Sequence, residues 1–139
     1  MSHTAFIGTG LLGAAFVEAA LSRGESVTGA KRVHLVLQDD RSVESVIAAL
    51  CPGLSPTAII VDHTTTHPQK TAERLARLNA EGVAYLHCPV FIGPVAARKS
   101  EGIILASGPQ ALFDRVQPAL ARMATRVEYF GERGDLAAR

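Results

Sequence analysis

The sequence predicts an α/β fold, with a doubly wound, mostly parallel sheet and helices on both faces. Three observations predict it. Short apolar runs alternate with segments of helical spacing along nearly all of the 139 residues. Several runs, Val33-His34-Leu35-Val36-Leu37 above all, are almost continuously apolar, as strands buried on both faces are. The first run, Ala5-Phe6-Ile7, leads directly into Gly8-Thr9-Gly10-Leu11-Leu12-Gly13, a G-x-G-x-x-G turn set between a strand and a helix.

That turn has the context a dinucleotide-binding fingerprint requires. Gly8 allows the tight turn, Gly10 lets the main chain approach a pyrophosphate with no Cβ in the way, and Gly13 lets the helix pack close to its strand. The free N–H groups and positive end of the helix then face the phosphates. Gly8, Thr9, Gly10, Leu11, Leu12 and Gly13 are therefore candidate cofactor-binding residues. A purely structural glycine turn is the competing reading.

The remaining elements follow in order. Leu11, Leu12, Ala15, Phe16, Ala19 and Ala20 form the apolar stripe of a first helix, which stops near Arg23-Gly24. Ser26 to Thr28 is a strand stub, and Val33 to Leu37 is a buried strand. Asp39, Asp40 and Ser42 are cap candidates for a helix that turns Val43, Val46, Ile47 and Leu50 inward, ended by Cys51-Pro52-Gly53. Ala58 to Val61 is the next strand. After it, His67-Pro68 opens a helix with proline at its first position and Ala72, Leu75 and Leu78 as its buried face. Val83 to Leu86, Ile103 to Ala106 and Arg126 to Phe130 are further strands. The last two flank a helix from Pro109 to Met123 that Pro118 is expected to kink.

Composition narrows the function. A net charge of +1 with mixed signs offers no basic stripe for nucleic acid. No apolar run approaches the roughly 20 residues of a membrane span, and no charged leader precedes a hydrophobic core. Cys51 and Cys88 are far apart and in no metal or redox spacing, as expected of reduced thiols in a cytoplasmic protein. His63 and His67 are four apart but on a turn, and a zinc site needs a third ligand, so no metal is expected. His87 and Cys88 are neighbours on a strand and point to opposite faces, which argues against a nucleophile pair.

Five blocks in chain order resemble the N-terminal cofactor domain of the β-hydroxyacid dehydrogenase superfamily. They are Phe6 to Gly13, Leu35 to Asp39, Val61 to Pro68, Cys88 to Pro94, and a strand ending at Ser107-Gly108. Phe113, Pro118 and Met123 follow in a closing helix ahead of Gly131 and Gly134. That superfamily includes 3-hydroxyisobutyrate and 6-phosphogluconate dehydrogenases, glyoxylate reductases and imine reductases. The resemblance implies a Rossmann-type fold and an NAD(P)-dependent oxidoreductase acting on a small molecule. The alternative is a non-catalytic dinucleotide-binding or interaction module.

The resemblance also implies roles. Leu37 and Gln38 fall where the backbone lies along the nicotinamide ribose, Ser42 where a helix-start residue approaches the cofactor, and Thr65 at the Thr of a D-x-S-T turn near the nicotinamide. Thr64, at the Ser position of that turn, faces substrate. A helix start capped through Thr66 or His67 is the simpler account of the same residues. Hydroxyacid dehydrogenases carry P-V-S-G-G where this chain has Pro89-Val90-Phe91-Ile92-Gly93. Phe91, Ile92 and Gly93 are thus candidate substrate contacts, and the bulky apolar pair resembles the imine-reductase-like branch.

Two connections depart from the family. The run from Thr28 to Val33 spans at most about 18 Å, whereas a parallel crossover needs a dozen residues or more. A native segment is therefore expected to be missing near residues 28–31, and with it the residue that selects NAD or NADP. NADP(H) is expected over NAD(H), because the resemblance favours Asn-Arg at the lost strand tip. The cofactor domain is expected over residues 1–131, with 132–139 beginning a linker helix. By resemblance, the catalytic residue and a homodimer interface belong to an absent C-terminal helical domain.

Overall fold

The computed structural model describes residues 4–8, 32–50, 57–91, 99 and 101–132, the first of these segments by its backbone alone. The strands are β1 (Thr4–Gly8), β2 (Arg32–Val36), β3 (Ile59–Asp62), β4 (Tyr85–His87), β5 (Val90–Phe91), β6 (Ile103–Ala106) and β7 (Arg126–Tyr129). The described helices are α1 (Asp40–Leu50), α2 (Pro68–Ala80) and α3 (Gln110–Met123).

β1 to β4 form a parallel sheet in the order β1-β2-β3-β4. Its register sets Gly8 opposite Val36, Leu35 opposite Asp62, and Asp62 opposite His87, so the carboxyl ends stand nearly level. The strand beside β1 is the one predicted from Val33. The first helix, the Ser26–Thr28 strand and the segment expected to be missing near residues 28–31 lie outside the described residues.

A second sheet, β5-β6-β7, pairs β5 antiparallel and β7 parallel to β6. His87 and Ser107 join the two sheets by exchanging backbone hydrogen bonds of 2.9 and 2.8 Å.

Alternation along the strands builds two cores. Val33, Leu35, Ile60 and Tyr85 pack with Val43 and Ile47 of α1 and Leu78 of α2. Val36, Ile59, Val61, Leu86 and Cys88 pack on the other side with Val116, Leu120 and Met123 of α3. Helices therefore cover both faces, as predicted for buried parallel strands. α3 runs through the exposed Pro118 to Met123 without interruption. No described helix is long and apolar enough to cross a membrane.

The buried face of α2 differs from the prediction. Thr71, Arg74 and Leu78 face inward, Leu75 is half-buried and Ala72 is exposed. The helix can turn polar groups inward because each finds partners. The Thr71 hydroxyl donates to the His67 carbonyl at 2.9 Å, and the Arg74 guanidinium meets Asp40 and Glu44 of α1.

Candidate functional site

The site is built where β2 and β3 end. Past β2, Leu37 is half-buried and Gln38 exposed, and Asp39 caps α1 by accepting the Ser42 N–H at 2.8 Å. That bond and the neighbouring cations hold the Asp39 carboxyl below its ordinary pKa. Leu37, Gln38, Arg41, Ser42, Ser45 and Val46 line an open cleft of about 440 Å³.

Past β3 the chain is fixed to the end of β2. The His63 N–H donates to the Leu35 carbonyl at 2.8 Å, and the Thr64 hydroxyl accepts the Leu37 N–H at 3.0 Å. Thr64 is buried and braces the two loops, while Thr65 next to it is exposed. His67 then caps α2, its ring accepting the Gln69 N–H at 3.2 Å, with Pro68 at the first helical position. The cap account of the D-x-T-T turn therefore holds through His67.

A buried polar layer supports this turn. Asp62 accepts the Thr64 N–H at 3.0 Å and the Tyr85 hydroxyl at 2.5 Å. Burial, with Asp62 adding to it, pushes the Tyr85 hydroxyl well above its usual range, so it stays a donor. His87 donates from Nε2 to the Thr64 carbonyl at 3.0 Å, which leaves its buried Nδ1 as a bare acceptor with no partner. Burial lowers its pKa.

On the opposite face the hydrogen bonds assign the tautomers of two more histidines. The Cys88 carbonyl can only accept, so His63 donates to it from Nδ1 at 2.9 Å. His63 Nε2 then accepts from His34 Nδ1 at 2.8 Å, and His34 Nε2 accepts from Arg32 Nε at 2.8 Å. The two rings stack with centroids 5.1 Å apart. Burial lowers the His63 pKa to about 4, against the opposing pull of the Cys88 carbonyl and Asp62.

Of the residues singled out in the sequence, the fold brings Leu37, Gln38, Ser42, Thr64 and Thr65 to one edge of the sheet, level with Gly8 at the end of β1. Thr9, Gly10, Leu11, Leu12, Gly13, Ile92 and Gly93 lie outside the described residues. Phe91 is described by its backbone, opposite Ile103 in β5. His87 and Cys88 belong to opposite faces, and burial pushes the Cys88 thiol far above a nucleophile's range. No group of three potential metal ligands occurs among the described residues. Arg74 and Tyr85 went unnoticed in the sequence, although the Thr71, Arg74, Leu78 spacing of three and four marks a helix face.

The family model for the NAD binding domain of 6-phosphogluconate dehydrogenase matches residues 15–131. The chain belongs to that family. This NAD-binding domain is 28% identical over 116 residues to the decarboxylating 6-phosphogluconate dehydrogenase of Bacillus licheniformis, covering 79% of this chain and 25% of that enzyme. Among solved structures it is similar to Mycobacterium tuberculosis 3-hydroxyisobutyrate dehydrogenase, with a TM-score of 0.90 and 20% identity over 99% of this chain and 57% of that one. It is also similar to the imine reductase of Streptomyces aurantiacus, with a TM-score of 0.84 and 21% identity over 99% and 58% of the two chains. These likenesses establish the Rossmann-type fold. The NAD-binding domain spans a quarter of the Bacillus enzyme and less than three fifths of either solved chain.

Proposed function

We propose that the chain is the cofactor-binding part of an NAD(P)-dependent oxidoreductase that moves hydride between nicotinamide C4 and a C=O or C=N carbon. The observation that carries this reading is the level row of carboxyl ends at β1, β2 and β3, with an open cleft past the end of β2 beside Leu37, Gln38 and Ser42. Dinucleotides bind outside the carboxyl ends of such strands. In this reading, the backbone from Gly8 to Gly13 holds the pyrophosphate. Leu37, Gln38 and Ser42 line the ribose on the nicotinamide side, and the exposed Thr65 hydroxyl orients the ring. The bound dinucleotide supplies the hydride, while the protein supplies binding and orientation. Phe91, Ile92 and Gly93 border the small-molecule substrate, with Thr64 holding the adjoining loop. The cofactor domain covers residues 1–131, and residues 132–139 lead toward a helical domain that carries the catalytic group and a homodimer interface. A cytoplasmic setting and NADP(H) as the preferred cofactor complete the proposal.

Titration with NADPH and NADH tests it. Gly10→Val should abolish binding of both while the far-ultraviolet circular dichroism is retained, because the added side chain takes the place of the phosphate. The unsubstituted protein should bind NADPH more tightly than NADH. Unchanged affinity in the variant would remove the basis of the reading, and tighter NADH binding would reverse the cofactor preference.

A further inference from the structure

We propose that Arg74, which does not line the cleft, is a positioning residue for the bound dinucleotide. The proposal rests on the functional reading above. Arg74 lies on the inner face of α2 with 1% of its side chain exposed. Its Nη2 donates to Asp40 Oδ1 at 2.5 Å and its Nε to Glu44 Oε2 at 2.8 Å, so one planar group grips both ends of the first turn of α1. Ser42, a residue of the cleft, lies between those two carboxylates. Asp40 turns its other oxygen, Oδ2, to the His67 N–H at 2.8 Å, at the start of α2. With the Thr64 hydroxyl on the Leu37 N–H and the His63 N–H on the Leu35 carbonyl, this makes three ties between the β2–α1 and β3–α2 segments. Thr65 lies in the loop between the Thr64 and His67 ties.

Stability alone accounts poorly for this arrangement. An apolar residue of similar size would suit a position beside Leu78, and ion pairs whose carboxylates are partly exposed are often no better than such a replacement. The guanidinium also leaves its buried Nη1 without a partner. The fork spans two carboxylates of α1 and leaves that one donor unused. Groups that fix the residues of a site in this way govern its geometry without touching the ligand.

The test measures dissociation constants for NADPH and for ADP, a fragment that uses the glycine turn but not the braced segments. Arg74→Met should weaken NADPH at least tenfold and leave ADP within twofold. Arg74→Lys, which can hold one carboxylate but not both, should weaken NADPH by about threefold. Leu78→Ala, a buried change on the same face of α2, should lower Tm and leave NADPH within twofold. If Arg74→Met does not fold, Glu44→Gln should weaken NADPH by about threefold with ADP unchanged. The proposal is overturned if a folded Arg74→Met, or Glu44→Gln in its place, binds NADPH as the parent does. Equal weakening of both ligands, or an effect in Leu78→Ala as large as in Arg74→Met, overturns it too. A parent protein that binds neither ligand defeats the functional reading along with it, whereas a parent that binds both, with Arg74→Met indistinguishable from it, defeats this inference alone.

Discussion

At the scale of single residues, the buried histidines make stability depend on pH. His63 is buried with both ring nitrogens engaged, and its pKa falls from 6.5 to about 4 because burial disfavours the charged ring. Between those two values the unfolded chain binds the proton and the native protein does not. Stability therefore falls as the pH drops from 6.5 towards 4, and this contribution levels off below the native value. The shift corresponds to about 3 kcal/mol across the window. His87, lowered by burial in the same sense, adds to the slope. His63→Asn retains a donor for the Cys88 carbonyl and removes the titration. Urea unfolding of the two proteins between pH 7 and pH 4 should show a flatter dependence in the variant; identical slopes would assign the acid sensitivity elsewhere.

At the scale of elements, Gly108 shows how a strand end is fixed. It has a φ of 143°, and a Cβ there would lie 2.5 Å from Leu86 Cδ2 and 3.2 Å from the Tyr85 carbonyl oxygen. Its N–H donates to the Gly131 carbonyl at 3.0 Å and its carbonyl accepts the Tyr129 hydroxyl at 2.5 Å, closing β6 against β7. Gly108→Ala combines backbone strain with a clash in a packed core and should cost about 2 to 4 kcal/mol. Thermal unfolding should register this as a Tm lower by about 10 °C, at roughly 4 °C per kcal/mol; a change of 2 °C or less would mean that β4 yields to the methyl.

The same scale separates what was legible in the sequence from what was not. β2, β3, β6 and β7 stand within a residue or two of their predicted positions because apolar runs and turn residues mark them locally. Pro68 announced α2 for the same reason. β5 escaped because two residues paired antiparallel to β6 carry no periodicity of their own. The inner face of α2 escaped because Arg74 is held there by carboxylates on α1 that lie 30 and 34 positions away in the chain. Local pattern has no access to such a partner. For Thr64, the resemblance implied a ligand contact, and only the pairing of β2 with β3 showed that its hydroxyl accepts the Leu37 N–H.

At the scale of the whole molecule, the sheet order explains why residues remote in sequence gather at one edge. Parallel strands with level ends deliver every loop that follows a strand to the same side, so the Leu37–Ser42 and Thr64–Thr65 stretches meet without any contact between them in the sequence. Past His87 the chain leaves this sheet for β5, which carries the Val90-Phe91 pair toward Ile92 and Gly93. In the proposed reading this segment borders the substrate. By the resemblance, Phe91 and Ile92 replace the hydroxyl and a glycine of the hydroxyacid dehydrogenase pattern, and neither side chain can donate to a carboxylate. Leaving a substrate carboxylate desolvated without donors is costly, whereas a ketone or cyclic imine brings one acceptor atom and apolar surface that such a wall accommodates. The complete protein should therefore turn over ketones or cyclic imines with specificity constants at least tenfold above those for small hydroxy acids. Phe91→Ser should narrow that gap by restoring a donor. A substrate panel in which 3-hydroxyisobutyrate or glyoxylate gives the highest specificity constant, or in which Phe91→Ser leaves the ratio unchanged, would show that the carboxylate is held by groups outside this segment.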